Sequence, residues 1–158
     1  MFEVKANAKS ILNGQVGEQL ACAQLLTQGY ITSVMPTGYP VIDLLVLTKD
    51  HQVSKLVQVK YTPKPKPTWV LSSNVETVTD HRLIFVLICR TASQVGYEFY
   101  CIPADKVAEL VKQRNVEYVA KKRLVNAGYV DNTMRRLELS VEQRQTYRNA
   151  FHLFGPPK

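Results

Sequence analysis

The chain has 158 residues, 46% hydrophobic and 21% charged, the composition of an ordinary globular domain and not of a disordered chain. Its longest apolar run, Leu83 to Cys89, is about a third of a membrane-spanning helix, and Met1-Phe2-Glu3-Val4-Lys5 mixes charges too early for a secretory leader. Cys22, Cys89 and Cys101 lack C-x-x-C spacing, which argues against a disulfide scaffold or zinc ribbon and for a soluble cytoplasmic domain, while a net charge of +7 favours polyanionic partners through counterion release.

Taken in order, Val16 to Gln28 reads as a helix, with Val16, Leu20, Ala23 and Leu26 at helical spacing and Gly29 closing it. Tyr30 to Met35 is a strand ended by Pro36. Val41 to Leu47 and Val53 to Thr62 are the next two strands, joined by a hairpin loop at residues 49–52. Pro63-Lys64-Pro65-Lys66-Pro67 favours stiff polyproline II geometry. Leu83 to Cys89 is a strand buried on both faces, followed by a strand at Tyr97 to Ile102. Pro103 then opens a helix to about Gln113. Residues 115–140 are basic and give no clear element. In the tail, Tyr147, Phe151 and Phe154 fall on one helical stripe. This order predicts one mixed α/β domain over residues 1–158, with a central β-sheet flanked by helices. Its core covers about residues 7–113, and a basic C-terminal extension covers about 114–158.

Asp43 is the informative residue. It interrupts a strand that is otherwise apolar on both faces, where a carboxylate loses hydration and needs a cation or several donors. The plain alternative is a strand-end aspartate bonded to backbone amides. With residues 49–52 as the loop, Thr48 faces Val53 and Asp43 lies opposite Gln58, their Cβ atoms ~5 Å apart. Lys60 shares that face by the period of two. Asp43 and Gln58 supply oxygen ligands suited to Mg²⁺, and a lysine beside the metal could orient or deprotonate a water and stabilise charge on a phosphate. Alone, Lys60 reads as a snorkelling strand-end lysine. Glu18 follows Gly17 in what reads as the first helical turn, where the helix dipole alone would favour a carboxylate.

Gly14-Gln15-Val16-Gly17-Glu18, then Gly38 with Val41-Ile42-Asp43, then Val57-Gln58-Val59-Lys60, together resemble the PD-(D/E)XK nuclease superfamily. The resemblance is to branches with a Gln-x-Lys third motif, among homing and restriction-type endonucleases and archaeal-type Holliday-junction resolvases, and covers about residues 7–62. It implies a restriction-endonuclease-like αβββαβ core. It also implies that Asp43, Gln58 and the Val59 carbonyl hold a divalent metal, Mg²⁺ with Mn²⁺ as substitute, and that Lys60 is the catalytic lysine. Glu18 would be a further acid that reaches the metal directly or through water. The implied reaction is hydrolysis of DNA phosphodiester bonds, leaving a 5′-phosphate. Gln58 stands where the family pattern usually has an acid, and Pro40 lies three residues ahead of Asp43. A nuclease-fold protein that only binds nucleic acid or a protein partner is the alternative.

Lys64, Lys66, Lys121, Lys122, Arg123, Arg135 and Arg136 are the candidate contacts to phosphates of duplex or branched DNA, with Tyr118 and Tyr129 placed to stack on bases. Cutting both strands calls for a homodimer or higher homo-oligomer, with the tail aromatics as candidate contacts unless they close the monomer's own core. His51, His81 and His152 show no ligand spacing, no histidine is placed to activate a cysteine, and no Gly-rich phosphate loop is present.

Overall fold

The computed structural model describes residues 6–36, 38–47 and 51–157. In chain order its elements are α1 (Ala6–Thr27), β1 (Ile31–Val34), β2 (Leu44–Leu47), β3 (Val53–Thr62), β4 (Thr68–Ser72), a 3₁₀ turn at Ser73–Thr77, β5 (Leu83–Arg90), β6 (Tyr97–Pro103), α2 (Ala104–Val125), β7 (Met134–Glu138), α3 (Val141–Tyr147) and a second 3₁₀ turn at Phe151–Phe154. Five strands form one mixed sheet in the order β1-β2-β3-β5-β6, while β4 and β7 pair separately. β3 and β5 run parallel and the other neighbours antiparallel. The class is mixed α/β, as the sequence predicts.

β5 explains why there are two cores. Its side chains alternate between them: Ile84, Val86 and Ile88 enter the cluster with Ala21 and Leu25 of α1, and Leu83, Phe85, Leu87 and Cys89 enter the cluster with Val107 and Val111 of α2. A strand buried on both faces must be apolar at consecutive positions, and each large side chain removed from water contributes about 1.5–3 kcal/mol.

α1 is longer than expected and buries a different stripe. Gly17, Ala21 and Leu25 face the sheet, and Val16 and Leu26 are exposed. Gly17 is the point of closest approach: a Cβ there would lie 2.7 Å from the Tyr61 Cβ and 3.3 Å from a Val59 methyl, so only glycine lets the helix lie against β3 at this spacing.

Four other sequence expectations change. The helix expected to end near Gln113 runs to Val125, so the boundary drawn at 113/114 falls inside it. Residues 68–72 and 134–138 form a ribbon whose inner face, Trp69, Leu71 and Leu137, joins the α2-side core. The Trp69 indole N–H donates to the Ile88 carbonyl at 2.9 Å, anchoring that ribbon on the central strand. Pro63 to Lys66 bends instead of extending, and the Thr68 N–H reaches the Lys66 carbonyl at 2.7 Å, which turns the chain from β3 into β4. The tail is a short helix and a 3₁₀ turn, not one stripe. Phe151 and Phe154 close the α1-side core, and Tyr147 packs on the α2-side core. These aromatics seal the monomer and are not free for a dimer contact. The Tyr30 hydroxyl, 2.8 Å from the Phe151 carbonyl and 2.7 Å from that of Gly155, pins the last turn in place.

No helix among the described residues is long and apolar enough to cross a membrane.

Candidate active site

The hairpin that carries Asp43 and β3 pairs Leu44 with Val57, Leu45 with Leu56 and Val46 with Lys55, then shifts so that Leu47 faces Val53. The expected Thr48–Val53 pairing is therefore replaced by Leu47–Val53, with the irregularity restoring the expected sum further along. Residues 48–50 of the expected loop lie outside the described residues. Asp43 itself is not in the ladder. Its backbone N–H donates to the Val57 carbonyl at 2.8 Å, although the ladder pairs Val57 with Leu44, so the chain leaves regular pairing at Asp43. Just upstream, Gly38 and Val41 have φ of 90° and 71°. The value at Val41 is a costly one for a β-branched residue, and it belongs to the turn that delivers Asp43.

With β2 ended, β3 from Gln58 onward has no strand on that side, and the Asp43 carboxylate takes the place of the missing acceptor. Its Oδ2 accepts the Val59 N–H at 2.6 Å. Asp43 is thus bonded to a backbone amide through one oxygen, as the plain alternative holds, while the other oxygen has no hydrogen-bond partner among the described residues. Because the N–H and C=O of one strand residue point to the same side, the Val59 carbonyl also lies on this free edge.

Lys60 acts electrostatically on Asp43, and Asp43 in turn on Glu18. Burial pushes the Asp43 carboxyl up from its ordinary value, and the Val59 N–H and the Lys60 ammonium pull against that. Glu18 is raised as well, first by burial and then by the Asp43 charge. Glu18 lies about three turns into α1, not in its first turn, so the helix dipole does not account for it. Its position next to Gly17, where α1 touches β3, does. Gln58 and Lys60 alternate with the core residues Val57 and Val59 and so point to the opposite face of the sheet, beside Phe85 and Leu87. The free edge of β3 thus brings Asp43 together with Lys60 and Glu18, while Gln58 shares the Lys60 face of the same strand.

Two carboxylates, an amide and a backbone carbonyl would make a hard-oxygen donor set with a single ammonium beside it, and the burial that raises both Asp43 and Glu18 is a cost that a divalent cation would relieve. The residues fit such an ion. No group of three or more histidine, cysteine or acidic side chains that could hold a metal ion occurs among the described residues.

The expected phosphate contacts separate. Lys64, Lys121, Lys122, Arg123 and Arg136 are exposed, and Lys66 is exposed 3.7 Å from Glu138. Arg135 turns inward with only 8% of its side chain accessible. It is paired with Glu76, and with Asp131 at 3.1 Å, so it is not a surface contact. On β7 the alternation runs Met134 out, Arg135 in, Arg136 out, Leu137 in, an arginine filling a core position. The thiols of Cys89 and Cys101 are both pushed up to about 12, chiefly by burial, which suits packing and not nucleophilic attack. His51, His81 and His152 are exposed.

No protein-family model matches the sequence, and no curated protein is significantly similar to it. Among solved structures, the chain is similar to a bacterial homing endonuclease, with 14% identity, 90% of each chain covered and a TM-score of 0.49. It is also similar to the Holliday junction resolvase of the archaeal hyperthermophile Archaeoglobus fulgidus, with 12% identity, 85% of this chain and 88% of that one covered, and a TM-score of 0.45. Similarity at this level says nothing of activity, and the functional reading rests on this chain's own residues.

Proposed function

We propose that the protein is a divalent-metal-dependent DNA endonuclease whose site is built from Glu18, Asp43, Gln58, the Val59 carbonyl and Lys60. The observation that carries the reading is the meeting of Asp43, Lys60 and Glu18 at a strand edge left open by the end of β2, a place where a fold seeking only stability would put a backbone acceptor and apolar cover. Asp43 and Glu18, with the Gln58 amide oxygen and the Val59 carbonyl, would hold Mg²⁺ or Mn²⁺. When bound, that ion would supply an activated water at neutral pH and charge neutralisation at the phosphate. The Val59 N–H fixes the rotamer of Asp43, and Gly17 fixes how near Glu18 comes. Lys60 holds its ammonium beside Asp43, where it would orient the attacking water and stabilise negative charge growing on the phosphoryl oxygens. The exposed Lys64 and Lys66, on the bend that follows β3, would hold the flanking backbone. With one site per chain, cutting both strands of a duplex, or a four-way junction, would take a homo-oligomer.

Nicking of supercoiled plasmid in Mg²⁺ or Mn²⁺ tests this. Lys60→Ala, with an unchanged melting curve, is expected to lose about 10²–10³-fold in rate. Equal rates in both proteins would sink the assignment. If the wild type leaves plasmid intact, single-stranded and four-way-junction DNA are the next substrates.

One observation favours a second reading. Gln58 leaves two carboxylates in place of three, and Asp43 already serves the backbone. A non-catalytic DNA-binding protein of the same fold would show DNA binding, with neither binding nor stability responding to Mn²⁺ through Asp43.

A further inference from the structure

On the α2 side of the molecule, where α2 passes beyond the sheet, the fold leaves a cavity of about 240 Å³ between α2 and β7. Its walls include Tyr118 and Met134, 47% and 62% exposed, and its polar lining is Arg114, Asn115, Asn132, Arg135 and Arg136. No acidic side chain lines it. The Tyr118 ring stands edge-to-face with Tyr129 at 6.1 Å, and the Lys122 ammonium lies 5.5 Å from its centroid. Of the polar lining, Arg135 is already tied to Glu76, Asp131 and the Asn132 and Met134 carbonyls. Arg114 is held by Glu138 at 2.8 Å, whereas Arg136 has no acidic partner among the described residues. The Asn115 amide nitrogen is committed to Asp131 and the Asn132 amide oxygen to the Met134 N–H. That leaves the Asn115 oxygen as an acceptor and the Asn132 nitrogen as a donor.

A half-exposed aromatic ring, a thioether, one amide acceptor, one amide donor and an unpaired guanidinium form a set that matches a nucleobase with its phosphate. The ring and thioether offer stacking surface to any base, the two amides can meet a base edge, and the guanidinium takes the phosphate. We propose that this cavity binds one unpaired nucleotide of a DNA strand, its base against Tyr118 and its phosphate on Arg136. A base inside a duplex presents no free face to such a ring, so the site selects single-stranded or branched DNA over continuous duplex. It lies apart from Asp43 and needs no metal, and its occupancy does not depend on the nuclease reading.

The test is fluorescence anisotropy in EDTA, with a labelled mixed-sequence single strand and with the duplex of the same sequence. Loss of one stacked base weakens binding by roughly 5- to 150-fold. Tyr118→Ala is therefore expected to weaken single-strand binding by about ten-fold or more, to leave duplex binding unchanged, and to leave the salt dependence unchanged. Tyr118→Phe and Tyr118→Trp should retain wild-type affinity. Arg136→Ala should weaken single-strand binding and reduce the slope of log affinity against log salt by about 0.7. Wild-type affinity in Tyr118→Ala, an equal loss on duplex, or Tyr118→Phe as weak as Tyr118→Ala would each overturn the proposal. As a second measurement, a single strand carrying 5-bromodeoxyuridine is irradiated on the wild-type protein. Cross-linked peptides containing Tyr118 or Met134 are expected, and cross-links only elsewhere would overturn it.

Discussion

Arg135 and Asp43 both carry charge into partly covered ground, and the fold treats them in opposite ways. Around Arg135 every charge has an answer: Glu76 and Asp131 meet the guanidinium, backbone carbonyls take further N–H groups, and Asp131 is held below the usual carboxylate range by the Asn115 amide, the Asn132 N–H and Arg135. Around Asp43 the sum does not close. One oxygen is held by the Val59 N–H, but burial pushes Asp43 up against the pull of that N–H and of Lys60, and burial together with the Asp43 charge pushes Glu18 up. A structural ion cluster neutralises itself. A site that awaits a charged ligand keeps an imbalance.

The largest effect expected from this contrast is at Arg135. Arg135→Met removes the cation and strands two carboxylates, one of them four-fifths covered, which costs about 3–5 kcal/mol for a buried pair. Urea melts would register it as a fall in midpoint. A loss under about 1 kcal/mol would mean that the cluster behaves like an exposed ion pair and that its difference from the Asp43 site is not one of satisfaction.

Gly17→Ala comes next and bears on the other side of the contrast. The added Cβ must displace the Tyr61 Cβ, a backbone-anchored atom 2.7 Å away, and overpacking of this kind costs about 1–3 kcal/mol. Lifting α1 from β3 also moves Glu18 away from Asp43, so nicking should fall more than the stability loss alone explains. Wild-type stability in this variant would show that α1 can shift freely and that the helix does not set the distance between the two acids.

Much of this contrast could be read in the sequence, and what could not has definite physical reasons. Consecutive apolar residues made β5 plain, and Asp43 stood out because a carboxylate among apolar neighbours needs an explanation. The face of Gln58 and Lys60 followed from the strand period. The offset of the hairpin did not, because an irregularity between Val46 and Leu47 leaves no mark in composition, and loop length was the only guide to register. β4 and β7 were hidden for another reason. They are short, and β7 buries Arg135 where a hydrophobic residue would have revealed the alternation, so Met134-Arg135-Arg136 read as a basic surface run. The close packing at Gly17 was hidden as well: Gly14 and Gly17 both lie inside α1, but only Gly17 meets β3, and Gly14 faces open space, so glycine in a helix does not by itself mark the contact.

The finest test of the Asp43 imbalance is its pH dependence. When a carboxyl has a raised value in the folded protein, the native state holds the proton more tightly than the unfolded chain. Stability then falls as pH rises from the ordinary carboxylate value through the raised one, and the penalty persists above both. Asp43→Asn keeps an oxygen to accept the Val59 N–H but cannot ionise, and it removes the charge that raises Glu18. Without metal, Asp43→Asn should therefore melt above the wild type at neutral pH. The gap should close as pH falls through the carboxylate range and the wild-type acid becomes protonated. Asp131 has the opposite sign: its lowered value stabilises the fold above the ordinary carboxylate range and is lost on acidification, so Asp131→Asn should melt below the wild type at neutral pH. Added Mn²⁺ should raise the wild-type midpoint and leave that of Asp43→Asn nearly where it was. Should Asp43→Asn instead melt lower at neutral pH, the bond to Val59 would outweigh the imbalance, and Asp43 would resemble Arg135 more than it differs from it.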